Sequence, residues 1–219
     1  MIRGVILDMD GLITDTERLF LRFWSEVMAS RGYPAHEELV AHCVGRGIPE
    51  AEAYVRSKLG KSFDYRSILA EASALSREYC SRNGVPLKDG LSELLSFLEQ
   101  KQIPYGVATS AGYESAKKRL TQIGLRDRLH GIVTGDMVRQ GKPAPDIFLK
   151  ACEQLGTPPG ETLVLEDSPH GILGAYRAGC IPVMVPDLAS PDAATTAIAY
   201  AVVPGLEQVI PLIRQINQY

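Results

Sequence analysis

Two aspartates, Asp8 and Asp10, follow a short apolar run near the start of the chain. Residues 5–7 are typical of a strand buried on both faces, so both carboxylates would stand where that strand ends. Two unit charges about 4 Å apart repel by about 4 kcal/mol at an effective dielectric constant of about 20. Paired acids at this point indicate either a solvated turn or a site that holds a cation.

Other polar residues follow later strands of the predicted sheet. Thr109 and Ser110 follow the second strand, and Glu166 and Asp167 follow the fourth. Because ligands bind beyond the carboxyl ends of the strands in open α/β sheets, we expect these residues to share one crevice with the paired aspartates. The cluster offers only oxygen ligands, which select a hard cation. Mg²⁺ is the usual ion where a few carboxylates share it with phosphate, so Mg²⁺ is the predicted cofactor.

Three further stretches favour a phosphate group as the ligand. In "TSAGYESAKKRL" a strand passes into a helix, so Thr109 and the Ser110 N–H are expected at the positive helix end. Lys142 lies in the proline-bounded loop "GKPAPDIF", which could hold its ammonium on a phosphoryl oxygen. Ser168 is typical of a helix N-cap and would fix Asp167 just outside that helix. The sequence therefore predicts a phosphate site beside the metal.

Five apolar runs would position these side chains. They are short and bounded by Gly, Pro, Asp or Ser, and they lie at residues 5–7, 105–108, 131–133, 162–165 and 181–185. Helical patterns separate most of them, for example the leucines between residues 91 and 98. This alternation implies right-handed βαβ units. We predict an α/β fold with a doubly wound, mostly parallel, Rossmann-like sheet.

One long segment after the first strand breaks the alternation. It reads as helices, with aromatic and aliphatic residues recurring at helical spacing between residues 19 and 28. Hinges are expected at both ends of this segment, near residues 14–16 and 83–86, where Gly and Pro punctuate the chain. We predict a helical cap domain over residues 15–85, inserted in an α/β catalytic core made of residues 1–14 and 86–219.

Composition limits the partners of this protein. The 219 residues carry a formal net charge of −3, so nothing suggests nucleic acid or an anionic membrane as a partner. The first apolar run is too short for a signal peptide or a membrane span. The four cysteines lack the spacing of a zinc site or a disulfide framework, which fits reduced thiols. We expect a cytoplasmic monomer or weak dimer that acts on a small phosphorylated metabolite.

Four stretches together resemble the ordered motifs of the haloacid dehalogenase-like hydrolase superfamily. They are "DMDGLITDT", "ATS", "GKPAPDIF" and "LEDSPHG". The inserted helices resemble the cap domain of that superfamily. Within it, the chain is similar to capped sugar-phosphate and nucleoside-phosphate phosphatases and to the β-phosphoglucomutase group, and "DMDGLITDTERLF" is similar to pseudouridine 5′-phosphatases. The resemblance implies a Mg²⁺-dependent phosphatase that forms an aspartyl-phosphate.

The resemblance also assigns catalytic roles. Asp8 would be the nucleophile that accepts the phosphoryl group. Asp10 would be the general acid that protonates the leaving oxygen and then the base that activates water. Thr109 and Lys142 would hold the phosphoryl oxygens.

Metal binding is assigned in the same way. The carboxylates of Asp8 and Asp167 and the backbone carbonyl of Asp10 would bind Mg²⁺. Glu166 would either bind the ion directly or support its ligands, and a salt bridge to Lys142 is the other role open to it.

Substrate contacts are expected from Ser110 and Thr16 and from the cap loop "CVGRGIPEA". Gly45 would permit an unusual backbone path there, so that Arg46 reaches the substrate, although an exposed arginine in a turn explains the pattern equally well. The basic run that ends at Arg119 is predicted to be a solvated helix face.

Two alternative functions remain open. A β-phosphoglucomutase-like phosphotransferase would retain a second phosphate, but Phe20 replaces the histidine of that group, and residues 67–80 lack its cap lysine. A phospho-receiver signalling module also places acids, a hydroxyl and a lysine at a sheet edge, yet it needs neither Asp10 nor a helical cap. The sequence does not identify the leaving group of the substrate.

Overall fold

Short apolar runs form one parallel sheet. The computed structural model describes residues 1–33, 39, 43, 48–188 and 190–218. The strands are β1 (Gly4–Leu7), β2 (Tyr105–Thr109), β3 (Gly131–Thr134), β4 (Thr162–Glu166), β5 (Ile181–Met184) and β6 (Ala201–Val202). Their order is β3-β2-β1-β4-β5-β6, and every neighbouring pair is parallel. The predicted doubly wound sheet is confirmed, with a sixth strand of two residues that the sequence pattern did not indicate.

Amphipathic helices connect these strands. They are α1 (Thr16–Ser30), α2 (Ile48–Leu59), α3 (Tyr65–Asn83), α4 (Leu91–Gln100), α5 (Tyr113–Gln122), α6 (Asp146–Leu155), α7 (Pro169–Arg177), α8 (Ala193–Ile198) and α9 (Val209–Asn217). Short 3₁₀ turns occupy Arg126–Arg128, Gly135–Met137, Pro159–Glu161 and Leu206–Gln208. Helix α4 buries the leucines that predicted it. Among the residues that the structure describes, none of the helices could cross a membrane.

The central strand β1 is buried on both faces of the sheet. Val5 and Leu7 pack into one apolar cluster, and Ile6 packs into a second one. All four residues of β1 are buried. Because both faces are occupied by apolar packing, polar side chains can be placed only beyond the end of the strand. The neighbours of β1 are β2 and β4, so the order of the strands reverses there, and the carboxyl end of β1 lies at a topological switch point.

The chain divides into two compact units. One comprises Met1–Thr14 and Leu87–Tyr219, and the other comprises Asp15–Pro86. In the smaller unit α1 packs against α3, and the Trp24 and Tyr65 rings lie 5.2 Å apart between centroids. The assignment of residues 15–85 as a cap over the catalytic core stays a prediction.

Candidate active site

Asp8 lies directly beyond β1 and is held by the sheet. Its N–H donates to the carbonyl of Leu165 at 3.0 Å, which continues the β1–β4 ladder by one residue. The following loop closes on itself, because the N–H groups of Ile13 and Thr14 both donate to the Met9 carbonyl at 3.0 Å. Asp8 is 7% exposed. Its carboxylate therefore has a backbone position that the sheet fixes.

Glu166 ends β4 and is fully buried. Its Oε2 accepts from the Ser168 hydroxyl at 2.9 Å and from the Ser168 N–H at 3.3 Å. Ser168 is also the N-cap of α7, where its hydroxyl oxygen accepts from the Gly171 N–H at 3.1 Å, as the sequence predicted. A Cβ on Gly171 would lie 1.9 Å from the Glu166 carboxyl carbon. The helix start thus admits only glycine beside this carboxylate.

Lys142 joins the two buried acids. Its ammonium donates to Asp8 Oδ1, to Glu166 Oε1 and, at 3.0 Å, to the Ala108 carbonyl at the end of β2. The Lys142 side chain is only 7% exposed. It also lies 5.3 Å from the centroid of the Phe148 ring on α6. The proline-bounded loop therefore delivers its cation into the acidic cluster.

Burial and neighbouring charges act against each other in this cluster. Burial has the largest effect on the pKa of Asp8 and raises it, and the charges of Glu166 and Asp10 also raise it. Lys142 lowers it but is outweighed, so the pKa of Asp8 is raised to about 7. Burial lowers the pKa of Lys142, but the carboxylates of Asp8 and Glu166 outweigh it, so the pKa of Lys142 is raised. Lys142 is therefore held charged, and a second cation near Asp8 would favour the ionised carboxylate further.

The acidic cluster has the chemistry of a site for a hard cation. One carboxylate oxygen from each of Asp8, Glu166 and Asp167 lies within 4.8 Å of the others. Gly11 has φ of +82°, and a Cβ there would lie 2.3 Å from Asp167 Oδ2. Glycine thus lets the backbone after Asp10 pass directly beside the Asp167 carboxylate. These oxygens fit a Mg²⁺-type ion in number and in kind.

Thr109 and Ser110 occupy the loop after β2. Thr109 is 2% exposed, and its Oγ1 accepts from the Ala111 N–H at 3.1 Å, which leaves its hydroxyl hydrogen to donate. Ser110 is exposed. Both residues stand at the carboxyl edge of the sheet, as expected.

The expectation that Ser110 lies at the start of a helix is wrong. Helix α5 begins at Tyr113, its N-cap is Gly112, and the Tyr113 N–H donates to Asp136 at 3.0 Å. The cause is a tertiary contact with the turn that follows β3. Gly135, directly after β3, packs against the Ser110 carbonyl so closely that a Cβ would lie 2.6 Å from its oxygen, and Asp136 comes next. The Asp136 carboxylate, from the turn after β3, therefore occupies the helix end that phosphate was expected to use.

Arg119 also differs from its prediction as part of a solvated helix face. Its guanidinium pairs with Asp10 Oδ1, and its side chain is 28% exposed. Arg119 lies three residues after Ala116 and one before Leu120, both fully buried on the core-facing side of α5. That spacing was the available signal in the sequence. Residues three apart on a helix are neighbours on its surface, so Arg119 lies beside the buried face of α5 rather than opposite it.

Three further predicted substrate contacts, Thr16, Gly45 and Arg46, stay predictions. Thr16 is the first residue of α1 and belongs to the smaller unit. Gly45 and Arg46 lie outside the described residues. Among the candidate residues of the larger unit, the structure brings together Asp8, Asp10, Thr109, Lys142, Glu166 and Asp167 at one edge of the sheet.

Comparison with known proteins agrees with this geometry. The family model for haloacid dehalogenase-like hydrolases matches residues 5–185. The validoxylamine A 7′-phosphate phosphatase of Streptomyces hygroscopicus subsp. limoneus is 34% identical over 183 residues, covering 82% of this chain and 83% of that protein. The phosphorylated carbohydrates phosphatase of Thermotoga maritima is 33% identical over 184 residues, covering 80% and 81%.

Solved structures give the same result. A conserved haloacid dehalogenase-like protein of unknown function from Agrobacterium tumefaciens superimposes with a TM-score of 0.81 at 26% identity, covering 99% of this chain and 100% of that one. The matched residues include the acidic strand end, the lysine loop and the Glu166–Asp167 pair. The chain therefore belongs to the haloacid dehalogenase-like hydrolase family, and it is a phosphoric monoester hydrolase of that family.

Proposed function

We propose that this protein is a Mg²⁺-dependent phosphatase that hydrolyses a small phosphorylated sugar or nucleoside through an aspartyl-phosphate. The observation that carries the proposal is Asp8, a buried carboxylate paired with Lys142 and within 4.8 Å of two further acids. Burial and the neighbouring acids favour the neutral Asp8 carboxyl group, whereas Lys142 favours the charged carboxylate that attacks phosphorus, and a bound cation would favour that carboxylate further. The names of both phosphatase relatives support a phosphorylated, carbohydrate-like substrate.

The first step transfers the phosphoryl group to the protein. An Asp8 oxygen attacks phosphorus, the new P–O bond forms, and the bond to the leaving oxygen breaks. Asp10 gives its proton to that oxygen, so the alcohol leaves neutral. Lys142 and the Thr109 hydroxyl donate to the phosphoryl oxygens and stabilise the charge that develops there.

The second step returns the protein to its starting state. Asp10, now ionised, takes a proton from a water molecule that attacks the phosphorus of the aspartyl-phosphate. The Asp8–phosphorus bond breaks and inorganic phosphate is released. One residue can serve both steps because its protonation state after the first is the state that the second requires.

Asp8, Asp167 and the Asp10 carbonyl are the groups that would hold Mg²⁺. When bound, the ion would neutralise the charge shared by the phosphoryl oxygens and the acids. Both oxygens of Glu166 already accept hydrogen bonds, from Lys142 and from Ser168. We therefore assign Glu166 to orienting Lys142 rather than to direct coordination.

A single panel of assays tests this proposal. Phosphate release is measured from sugar phosphates, nucleoside 5′-phosphates and phosphoglycolate, with Mg²⁺ and with EDTA. We expect release from one compound class, abolished by EDTA and by Asp8→Asn. Mg²⁺ should also raise the melting temperature of the wild type and raise it less in Asp8→Asn, which reports metal binding without turnover. No release from any compound with Mg²⁺ would contradict the proposal.

The phosphotransferase alternative has its own assay. With β-glucose 1-phosphate under mutase conditions, a phosphatase releases phosphate, whereas a mutase forms glucose 6-phosphate without it. A mutase must favour a sugar hydroxyl over water, and Phe20 on α1 replaces the histidine associated with that group. Glucose 6-phosphate formed without free phosphate would replace the proposal by the mutase function.

We further propose that the reaction takes place in the cytoplasm, in a protein that is a monomer or weak dimer. The four cysteines are present as thiols, which fits a reducing compartment. Light scattering at micromolar concentration tests the oligomeric state, and a stable higher oligomer would contradict it.

A further inference from the structure

The ion pair between Arg119 and Asp10 joins two residues that are 109 positions apart in sequence. Asp10 lies in the loop after β1, whose backbone is held by hydrogen bonds to Met9 and by Gly11 N–H to Thr14 O at 3.0 Å. This network fixes the backbone of the loop. It leaves the direction of the Asp10 side chain to be set by other groups.

Helix α5 is a firm support for the arginine. Ala116 and Leu120 are fully buried and attach the helix to the core. The start of the helix is attached to the end of β3 through the bonds from the Tyr113 N–H to Asp136. Arg119 therefore projects from an element held both along one face and at its end.

We propose that Arg119 is a positioning residue that aims the Asp10 carboxyl group at the leaving oxygen of the substrate. This inference rests on the proposed function, in which Asp10 transfers the proton. A proton donor must lie within hydrogen-bond reach of the oxygen that it protonates. Misplacement of a reacting group by about 1 Å can cost about 10²-fold in rate. Arg119 donates to Asp10 Oδ1, so in the acid form the proton would be carried by Oδ2, and Arg119 would set the direction of that oxygen. Its loss should therefore impair the step that needs the proton.

The chemistry of the leaving group distinguishes positioning from general damage. An alkoxide leaving group from a sugar phosphate requires protonation, whereas p-nitrophenolate leaves readily without it. Loss of Arg119 should therefore slow phosphoenzyme formation from the sugar phosphate much more than from p-nitrophenyl phosphate. A merely structural role would slow both equally.

The test compares Arg119→Met, Arg119→Lys and Lys118→Met. Lys118 is exposed and adjacent on α5, so its variant is a matched loss of one positive charge. First-turnover rates are measured by rapid quench with p-nitrophenyl phosphate and with the sugar phosphate hydrolysed fastest in the panel. For Arg119→Met we expect a loss of about 10- to 100-fold on the sugar phosphate, less than about 3-fold on the aryl phosphate, and little change in KM.

Arg119→Lys should recover a large part of the lost rate, because it restores a cation of similar reach, and Lys118→Met should behave as wild type. Equal losses on both substrates would overturn the inference, as would an unchanged rate. A raised KM with unchanged kcat would also overturn it, because Arg119 would then bind the substrate itself.

A second measurement needs no turnover and therefore separates this inference from the proposed function. Urea midpoints are measured in EDTA for wild type, Arg119→Met, Asp10→Ala and the double variant. We expect the two single effects not to add, because either substitution removes the same contact. Additive midpoints would refute the ion pair on which the inference depends, whereas an inactive wild type would refute only the phosphatase assignment.

Discussion

Lys142 determines whether the acids of the site can be buried together. Its side chain is 7% exposed, and its ammonium contacts Asp8 and Glu166, whose side chains are 10% and 1% exposed. Removing one partner of a buried ion pair leaves an uncompensated charge, which typically costs about 3–5 kcal/mol. The same lysine is proposed to hold the phosphoryl group, so stability and catalysis depend here on one side chain.

Lys142→Met keeps most of the side-chain length and removes the charge. We expect the free energy of unfolding in EDTA to fall by about 3–5 kcal/mol, and phosphate release to fall by at least about 10²-fold. Added Mg²⁺ should restore part of the stability, because it would neutralise the same carboxylates. Urea unfolding with and without Mg²⁺ measures this, with Lys118→Met as the control. A metal-free variant as stable as wild type would contradict the assigned role of Lys142.

Asp10→Asn separates proton transfer from metal binding. The substitution removes the proton donor and keeps the backbone carbonyl that is proposed to bind Mg²⁺. We expect phosphate release to fall by about 10²–10⁴-fold while the Mg²⁺-dependent rise in melting temperature stays close to that of wild type. Assays at saturating Mg²⁺ together with thermal melts check both halves. Full activity of this variant would exclude Asp10 as the acid and base.

At the scale of elements, the start of α7 is shaped around Glu166. Ser168 caps the helix and donates to the Glu166 carboxylate, and Gly171 leaves room for it. The helix terminus thus holds the acid that in turn holds Lys142. Gly171, which has no role in the proposed reaction, can therefore affect the site through its contact with Glu166.

Gly171→Ala tests this dependence. The added methyl group would overlap the buried Glu166 carboxylate, so we expect a loss of about 2–3 kcal/mol in the free energy of unfolding despite the higher helix propensity of alanine. Activity should fall as Lys142 loses its partner. Gly160→Ala is the control, because a Cβ there meets no atom within 4 Å. If the two variants unfold at the same urea concentration, the packing argument is wrong.

At the scale of the whole molecule, Tyr105 links stability to alkaline pH. Its ring is fully buried at the start of β2, and its hydroxyl donates to Glu99 Oε1 at 2.6 Å. Burial, followed by the bond to Glu99, raises the pKa of Tyr105 from 10.0 to about 12. Between these values the unfolded chain loses the proton while the folded protein keeps it. Stability from this group is complete below pH 10 and is lost as the pH rises towards 12.

Tyr105→Phe should flatten this loss. We expect the free energy of unfolding to fall more steeply between pH 10 and 12 in the wild type than in the variant. The difference between the two slopes should correspond to at most one proton bound per molecule. Urea unfolding at pH 8 to 12 measures the slopes. Tyr176→Phe is the control, since Tyr176 is 55% exposed. Parallel slopes for wild type and Tyr105→Phe would show that another group titrates in this range.

Much of the fold was readable from local patterns. The five predicted strands match β1 to β5 within one residue at either end, because a strand buried on both faces is a continuous apolar run. Strand β6 was missed, since two residues carry no pattern. The Ser168 cap was predicted because it depends on neighbours in sequence. The start of α5 was misplaced because Asp136, whose carboxylate accepts from the first helical N–H, comes from the turn after β3 and is distant in sequence.

The sequence by itself determined the parallel α/β sheet, its order of acids, hydroxyls and lysine, and the family to which the chain belongs. These follow from hydrophobic periodicity and from short motifs, which are properties of neighbouring residues. Only the tertiary structure decided that Lys142 lies between Asp8 and Glu166, that Gly171 makes room for Glu166, and that Arg119 pairs with Asp10. Such contacts join residues distant in sequence, so they depend on how strands and helices pack rather than on any local pattern.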